Sequence, residues 1–162
     1  MVKSIAIIPA YNEEVAIGSI VLRTLKYVDN VLLIDDGSDD KTKEVALLAG
    51  AHVLTHPTNY GKGVALKSGF DYLKDLDYDI IITIDGDGQH NPDEIPEIMR
   101  PVLEDGADLV NGSRYMNGPE ENTPAYRRVG QQVLDKATNI SAGINVTDSQ
   151  SGFRAFSKRA LN

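Results

Sequence analysis

Residues 80–90 read Ile-Ile-Ile-Thr-Ile-Asp-Gly-Asp-Gly-Gln-His. An apolar, β-branched run that breaks off into carboxylates and glycines describes a strand covered on both faces, with polar groups at its carboxyl end. Working outward from that stretch, the same pattern recurs. Ser4–Pro9 runs into Ala10-Tyr11-Asn12-Glu13, and Val31–Asp35 runs into Asp36-Gly37-Ser38-Asp39-Asp40. His52–Thr55 is a further strand, and Leu109–Ser113 runs into Arg114-Tyr115. Helical signals fill the gaps. Asn12 reads as a cap placing Glu13 and Glu14 in a first turn, ahead of a stripe of Ile17, Ile20, Val21, Leu25 and Val28 at i, i+3, i+4 spacing. Ser38 or Asp39 starts a second helix that Gly50 ends, and a third covers about Gly63 to Leu76. Asn91-Pro92 opens a fourth that closes near Gly106, and a fifth spans roughly Tyr126 to Ala142. Alternating strands and helices predict an α/β, doubly wound architecture: a mostly parallel central sheet with helices on both faces.

The 162 residues carry 16 basic and 24 acidic side chains, for a formal charge of −8. That balance argues against a nucleic-acid binder, which meets phosphates with a basic excess. Residues 1–113 hold 9 basic and 20 acidic groups, whereas 114–162 hold 7 and 4. Cysteine is absent, which excludes disulfides and thiolate metal sites. No apolar run approaches the roughly 18 residues of a membrane span, and the first residues lead directly into a strand pattern, so the expected location is cytoplasmic. Length predicts one domain, residues 1–162. Ser157 reads as a helix cap followed by only five residues, too few for a stable helix, so the domain is expected to lack its C-terminal part.

In an open parallel sheet, ligands bind beyond the carboxyl ends of the strands, where the polar clusters fall. Asp85-Gly86-Asp87 is the sharpest of them. Two carboxylates spaced by glycine can face one cation, and hard oxygen ligands suit Mg²⁺ or Mn²⁺, which share their shell with substrate phosphates. Pro96 at the twelfth position excludes an EF-hand. Asp35-Asp36-Gly37-Ser38 is either a turn with a helix cap or a carboxylate that reads a base or ribose. Asn59-Tyr60-Gly61-Lys62-Gly63 fails the Walker pattern, yet Lys62 near a helix start can meet a base, ribose or phosphate. His52, His56 and His90 lack metal-ligand spacing, and His52 and His56 read as structural or exposed. The sequence supports no Ser-His-Asp or Cys-His arrangement.

Together, Ile8–Glu13, Asp35–Ser38, Gly61-Lys62-Gly63 and Asp85–His90 resemble the family 2 glycosyltransferases. Gly112-Ser113-Arg114-Tyr115 and Ser151-Gly152-Phe153-Arg154 are similar to the polyprenyl-phosphate branch that includes dolichol-phosphate mannose synthases. The resemblance implies a GT-A, Rossmann-like fold, a nucleotide-sugar donor linked to GDP or UDP, a polyprenyl or dolichyl phosphate acceptor, and Mg²⁺ or Mn²⁺. It places Pro9, Ala10, Tyr11 and Glu13 at the nucleoside, Asp36 on the base beside Asp35, and Lys62, Asp85, Gly86 and Asp87 around the donor. Asp85, Asp87 and Gln89 match metal ligands, Arg114 and Arg127 match acceptor-phosphate contacts, and Asp148 is an acid near the acceptor. The Glu-Asp base of relatives that use hydroxyl acceptors is absent. A phosphate acceptor is already ionised near neutrality and needs none; for a hydroxyl acceptor Asp148 is the candidate base. The competing readings are a sugar-phosphate nucleotidylyltransferase, which calls for a basic glycine-rich loop after the first strand, and a non-catalytic nucleotide-sugar-binding module. The basic final third is expected to face anionic lipid at the cytoplasmic membrane surface.

Overall fold

The computed structural model describes residues 2–112 and 152–161. Six strands form one sheet: β1 (Ser4–Ala10), β2 (Asn30–Asp35), β3 (His52–Thr55), β4 (Ile80–Thr83), β5 (Leu109–Asn111) and β6 (Arg154–Ser157). Their order is β3-β2-β1-β4-β6-β5. β1 pairs in parallel with both β2 and β4, and β2 with β3, while β6 runs antiparallel to β4 and β5. The predicted α/β class and mostly parallel sheet are therefore present.

Period-two alternation explains why both faces are covered. Ala6, Ile8, Val31, Leu33, Ile80 and Ile82 turn to one side, where they pack with Ile17, Ile20 and Val21 of α1 (Ile17–Thr24), Ala46 of α2 (Thr42–Leu48), and Ile95, Ile98 and Val102 of α4 (Ile95–Glu104). Their neighbours Ile5, Ile7, Leu32, Ile34 and Ile81 turn to the other side, against Ala65 and Leu73 of α3 (Lys62–Leu73). Each fully buried Ile or Leu contributes about 1.5–3 kcal/mol, so these central strands anchor everything attached to their ends.

Four local expectations are corrected. Ser157, expected to cap a helix, instead ends strand β6, which the sequence pattern does not signal; its N–H donates to Asp108 O at 3.0 Å and its hydroxyl to Asp108 Oδ1 at 2.7 Å. A single 3₁₀ turn, Lys158–Leu161, follows. There Lys158 and Lys3 both hold the Asp77 carboxylate, which pulls its pKa down to about 2. Asn12 does not cap α1. It takes a left-handed conformation (φ 56°), its N–H donates to Ser38 Oγ, and its Oδ1 accepts from Asp39 N. α1 consequently begins at Ile17 without a side-chain cap, and Glu13 and Glu14 lie before it. α2 begins at Thr42 and not at Ser38 or Asp39, because Asp40 Oδ1 accepts from Thr42 N at 2.9 Å and the loop is tied to the end of β1. α3 stops at Leu73, short of Leu76. The Asn91 cap is as expected: Oδ1 accepts from Asp93 N, one 3₁₀ turn over Pro92–Glu94 leads into α4, and Gly106 (φ 69°) closes the segment. The expected fifth helix lies outside the described residues.

Gly69 sets how closely α3 can approach the sheet, because a Cβ there would meet Ile7 Cγ2 at 2.7 Å and Ile7 Cδ1 at 3.3 Å. The branched Ile7 side chain, fixed on a central strand, has no free rotamer to yield. Gly69→Val is expected to lower stability by about 1–3 kcal/mol through overpacking, read as a lower midpoint in urea denaturation with an unchanged slope.

Candidate active site

Parallel register brings three strand ends to one edge. Ala10 lies opposite Asp35, and the pairing continues as Asp36 N donates to Ala10 O at 2.9 Å. On the other side, Ile7 pairs with Thr83 and Ile84 N donates to Ile7 O, so the chain after β4 also emerges beside the end of β1. Gly86 lies so close to β1 that a Cβ would stand 3.1 Å from Pro9 O and 3.3 Å from Ala10 Cβ.

A cleft opens along this edge. Of the residues singled out in the sequence, Pro9, Ala10, Tyr11, Glu13, Asp36, Lys62, Asp85, Gly86 and Asp87 all line it. Asn59, Gly61 and Ala65 line it too, and were not singled out individually. Asp35 does not: it is buried beneath the turn, its Oδ1 accepting from Ser38 N at 3.1 Å. Gln89 lies beside the cleft with its N–H donating to Asp87 Oδ1 at 2.9 Å. Arg114, Arg127 and Asp148 fall outside the described residues.

Asp36 organises one wall. Its carboxylate accepts from the N–H groups of Tyr60 (3.0 Å) and Gly61 (2.7 Å) and meets His56 Nδ1 at 2.7 Å. His56 Nε2 lies 3.0 Å from Ser68 Oγ on α3. Each ring nitrogen of His56 is engaged, Nδ1 with Asp36 and Nε2 with the Ser68 hydroxyl. His56, which lacked any motif context in the sequence, is thus a strut between β2's end and α3. Gly37 (φ 76°) lets the two loops meet, since a Cβ there would fall 2.5 Å from the Thr58 carbonyl carbon. Burial pushes the Asp36 pKa up, but the hydrogen bonds from His56, Tyr60 and Gly61 outweigh it and hold the carboxyl below its ordinary 3.8.

The opposite wall carries Asp85. Lys62 Nζ stands 2.6 Å from Asp85 Oδ1, an oxygen shielded from solvent that makes no hydrogen bond of good geometry. His90, buried and stacked on Phe153 (centroids 5.4 Å apart, planes at 26°), places Nε2 at 3.7 Å from Asp85 Oδ2. Behind the carboxylate, Gly152 leaves no room: a Cβ would lie 2.3 Å from Asp85 Oδ1. Thr83 Oγ1 donates to Gly152 O at 2.8 Å and fixes that approach. The sequence presented Gly152 as part of a motif, but its contact with Asp85 joins residues far apart in the chain and is visible only in the fold.

The cleft is electronegative. Glu13, Asp36, Asp85 and Asp87 face Lys62, the one lysine or arginine among the described lining residues. Burial raises the Glu13 pKa, and the Asp87 and Asp40 carboxylates push it further up. Among the described residues, no three His, Asp or Glu side chains are gathered closely enough to hold a metal by themselves. Two hard carboxylates, one with a buried oxygen that meets a half-exposed ammonium but makes no hydrogen bond among the described residues, fit a divalent cation whose other ligands come from water and a substrate's phosphates.

The profile described as Glycosyl transferase family 2 matches residues 5–162. This chain belongs to that family. The family 2 chain is 39% identical over 175 residues to a UDP-N-acetylglucosamine–dolichyl-phosphate N-acetylglucosaminyltransferase of Methanococcus voltae, covering 96% of this chain and 69% of the relative. It is 33% identical over 168 residues to a polyprenol monophosphomannose synthase of Mycolicibacterium smegmatis, covering 98% and 63%. The crystal structure of M. tuberculosis glucosyl-3-phosphoglycerate synthase superposes with a TM-score of 0.76 at 27% identity, over 97% of this chain and 57% of that one. The same synthase has been crystallised with Mn²⁺, UDP and phosphoglyceric acid. The family 2 chain thus has the GT-A fold expected from its motifs, and spans about two thirds or less of most of the proteins it matches.

Two outcomes follow from this geometry. The stabilisation from the Asp36 carboxylate is complete above about pH 4 and is lost as pH falls through the lowered folded value. The thermal midpoint of the unaltered chain should therefore fall more steeply between about pH 4 and pH 2 than that of Asp36→Asn, as followed by circular dichroism. In Gly152→Ala the added methyl would overlap the Asp85 carboxylate, so one of the two must shift. The midpoint of urea denaturation should fall, by about 1–3 kcal/mol of stability.

Proposed function

We propose that this family 2 chain carries the catalytic centre for moving a hexose from a nucleotide-diphosphate sugar, GDP-mannose or a UDP-sugar, to a polyprenyl or dolichyl phosphate. The observation that carries the reading is the meeting of Asp85 and Asp87 with Asp36 and Lys62 in a single cleft at the strand ends. The lipid-phosphate acceptors named for the M. voltae and M. smegmatis relatives support the acceptor class.

Asp85 and Asp87, with Gln89 adjoining, would hold a divalent cation, Mg²⁺ or Mn²⁺, which supplies positive charge against the leaving diphosphate. Pro9, Ala10 and Tyr11 line the cleft and are assigned to the nucleoside. Asp36 lines the same cleft with its orientation already fixed by three donors, so reading a base costs little reorganisation. A phosphate oxygen of the acceptor attacks the anomeric carbon as the bond from that carbon to the diphosphate oxygen breaks, inverting the centre and releasing the nucleoside diphosphate. The acceptor arrives ionised, so no proton is removed. Arg114 and Arg127 are assigned to the acceptor phosphate, which guanidinium groups match in geometry, and Asp148 to the acceptor side. Glu13 is a further carboxylate of the same cleft, and burial together with the Asp87 and Asp40 carboxylates raises its pKa.

A lipid acceptor requires the chain to work at a membrane surface. Among the described residues, no helix is long and apolar enough to cross a bilayer; the proposed placement, at the cytoplasmic face of a membrane, rests on the lipid-phosphate acceptors named for the relatives. A panel of GDP- and UDP-sugars assayed by product mass on a short polyprenyl phosphate tests the reading. One donor should give a glycosyl-phosphate-lipid product, and Asp87→Ala should lower turnover by at least about 1,000-fold without changing the unfolding midpoint. Full activity in Asp87→Ala would overturn the cation assignment. Mn²⁺-dependent nucleotide binding without product from any donor would favour a binding module.

A further inference from the structure

We infer that Lys62 is an internal counter-ion for Asp85, which a divalent cation must displace and which, once displaced, becomes a contact for the nucleoside diphosphate. The inference rests on the donor-site reading above and concerns how this chain manages the site before and during loading.

Three observations carry it. First, Lys62 Nζ lies 2.6 Å from Asp85 Oδ1, an oxygen shielded from solvent. A cation ligated by Asp85 would compete with the ammonium for that carboxylate. Second, the contact is one of charge without good hydrogen-bond geometry, and the lysine side chain is 48% exposed. A flexible, half-solvated ammonium is released more readily than a guanidinium locked in a bidentate pair. Third, Lys62 is the first residue of α3, directly after Gly61 (φ 93°), whose N–H is held by Asp36. The backbone at this point is fixed while the side chain swings, so release leaves the ammonium within the same cleft.

The charges explain why such a device is useful. Four carboxylates line the cleft, and like charges crowded together repel one another. An ammonium on Asp85 offsets that repulsion and holds the carboxylate in place when no dication is present. A dication replaces one positive charge with two. The freed lysine then adds a third to a cleft that must accept a diphosphate. Cation and nucleotide consequently load with positive coupling, and Lys62 acts in opposite directions on the two ligands. A residue that merely supported the fold would move both affinities the same way.

Lys62→Met and Lys62→Arg of the full chain test this, with Mn²⁺ alone followed by the loss of its free-ion electron paramagnetic resonance signal, and UDP followed by calorimetry at saturating Mn²⁺. Lys62→Met should bind Mn²⁺ alone about tenfold more tightly than the unaltered chain and bind UDP with Mn²⁺ about tenfold more weakly. Lys62→Arg should bind Mn²⁺ alone no more tightly than the unaltered chain, because a guanidinium still neutralises Asp85 and leaves it less readily, and should keep its binding of UDP with Mn²⁺. Unfolding midpoints, read in parallel, should be alike because the side chain is exposed. Weaker or unchanged Mn²⁺ binding in Lys62→Met, beside normal Mn²⁺ binding by the unaltered chain, overturns the inference and leaves the donor site standing. Absence of Mn²⁺ binding by all three proteins, with and without UDP, overturns the donor-site reading and this inference with it.

Discussion

The parallel pairing of β1 with β2 on one side and β4 on the other is the constraint on which the site depends. Hydrogen bonds fix the register, and the register fixes which residues emerge together: Ala10 beside Asp35, and Ile84 one residue past the Ile7–Thr83 pair. No side chain at the edge has to find its neighbours. The isoleucines and leucines that clamp the sheet between α3 and the other helices deliver Asp36 and Asp85 to opposite walls of one cleft. Slipping any of these strands by one residue would exchange its two faces and bury the wrong set. The carboxylates are therefore held by the apolar core more than by one another.

Much of this was legible in the chain itself. Strands buried on both faces announce themselves as unbroken β-branched runs, and polar clusters at their carboxyl ends mark a ligand edge. Asn91-Pro92 and Gly106 acted locally, as their chemistry predicts. Residues whose side chains work across long distances were misread. Asn12 looked like a helix cap, but it bridges two loops, and Ser38 and Asp39 are taken up by that bridge while Asp40, from before the N-cap Lys41, meets the first N–H of α2. β6 was missed because four residues, Arg154 to Ser157, are too short to show a period and owe their conformation to β4 and β5. His56 and Gly152 carry no local signal of their function; each matters through a partner that only folding supplies.

The two walls of the cleft are built on different principles. The Asp36 wall is saturated with directional donors, so it is stiff and presents one geometry. The Asp85 wall is held by a charge contact, a stacked imidazole and a glycine that yields space. Stiffness suits recognition of a base, which has a fixed shape. A wall whose cation can be exchanged suits a diphosphate, whose charge arrives with the ligand.

Gly112 N donates to Phe153 O at 2.8 Å, which extends the β5–β6 pairing one step beyond Asn111 and Arg154, towards the cleft. Gly152, the next residue back along the chain, is the one pressed against Asp85. The antiparallel strand β6 thus lends the edge made by β1 and β4 a further point of attachment. A change at the far side of the sheet, in β5, can therefore reach the Asp85 carboxylate through main chain alone.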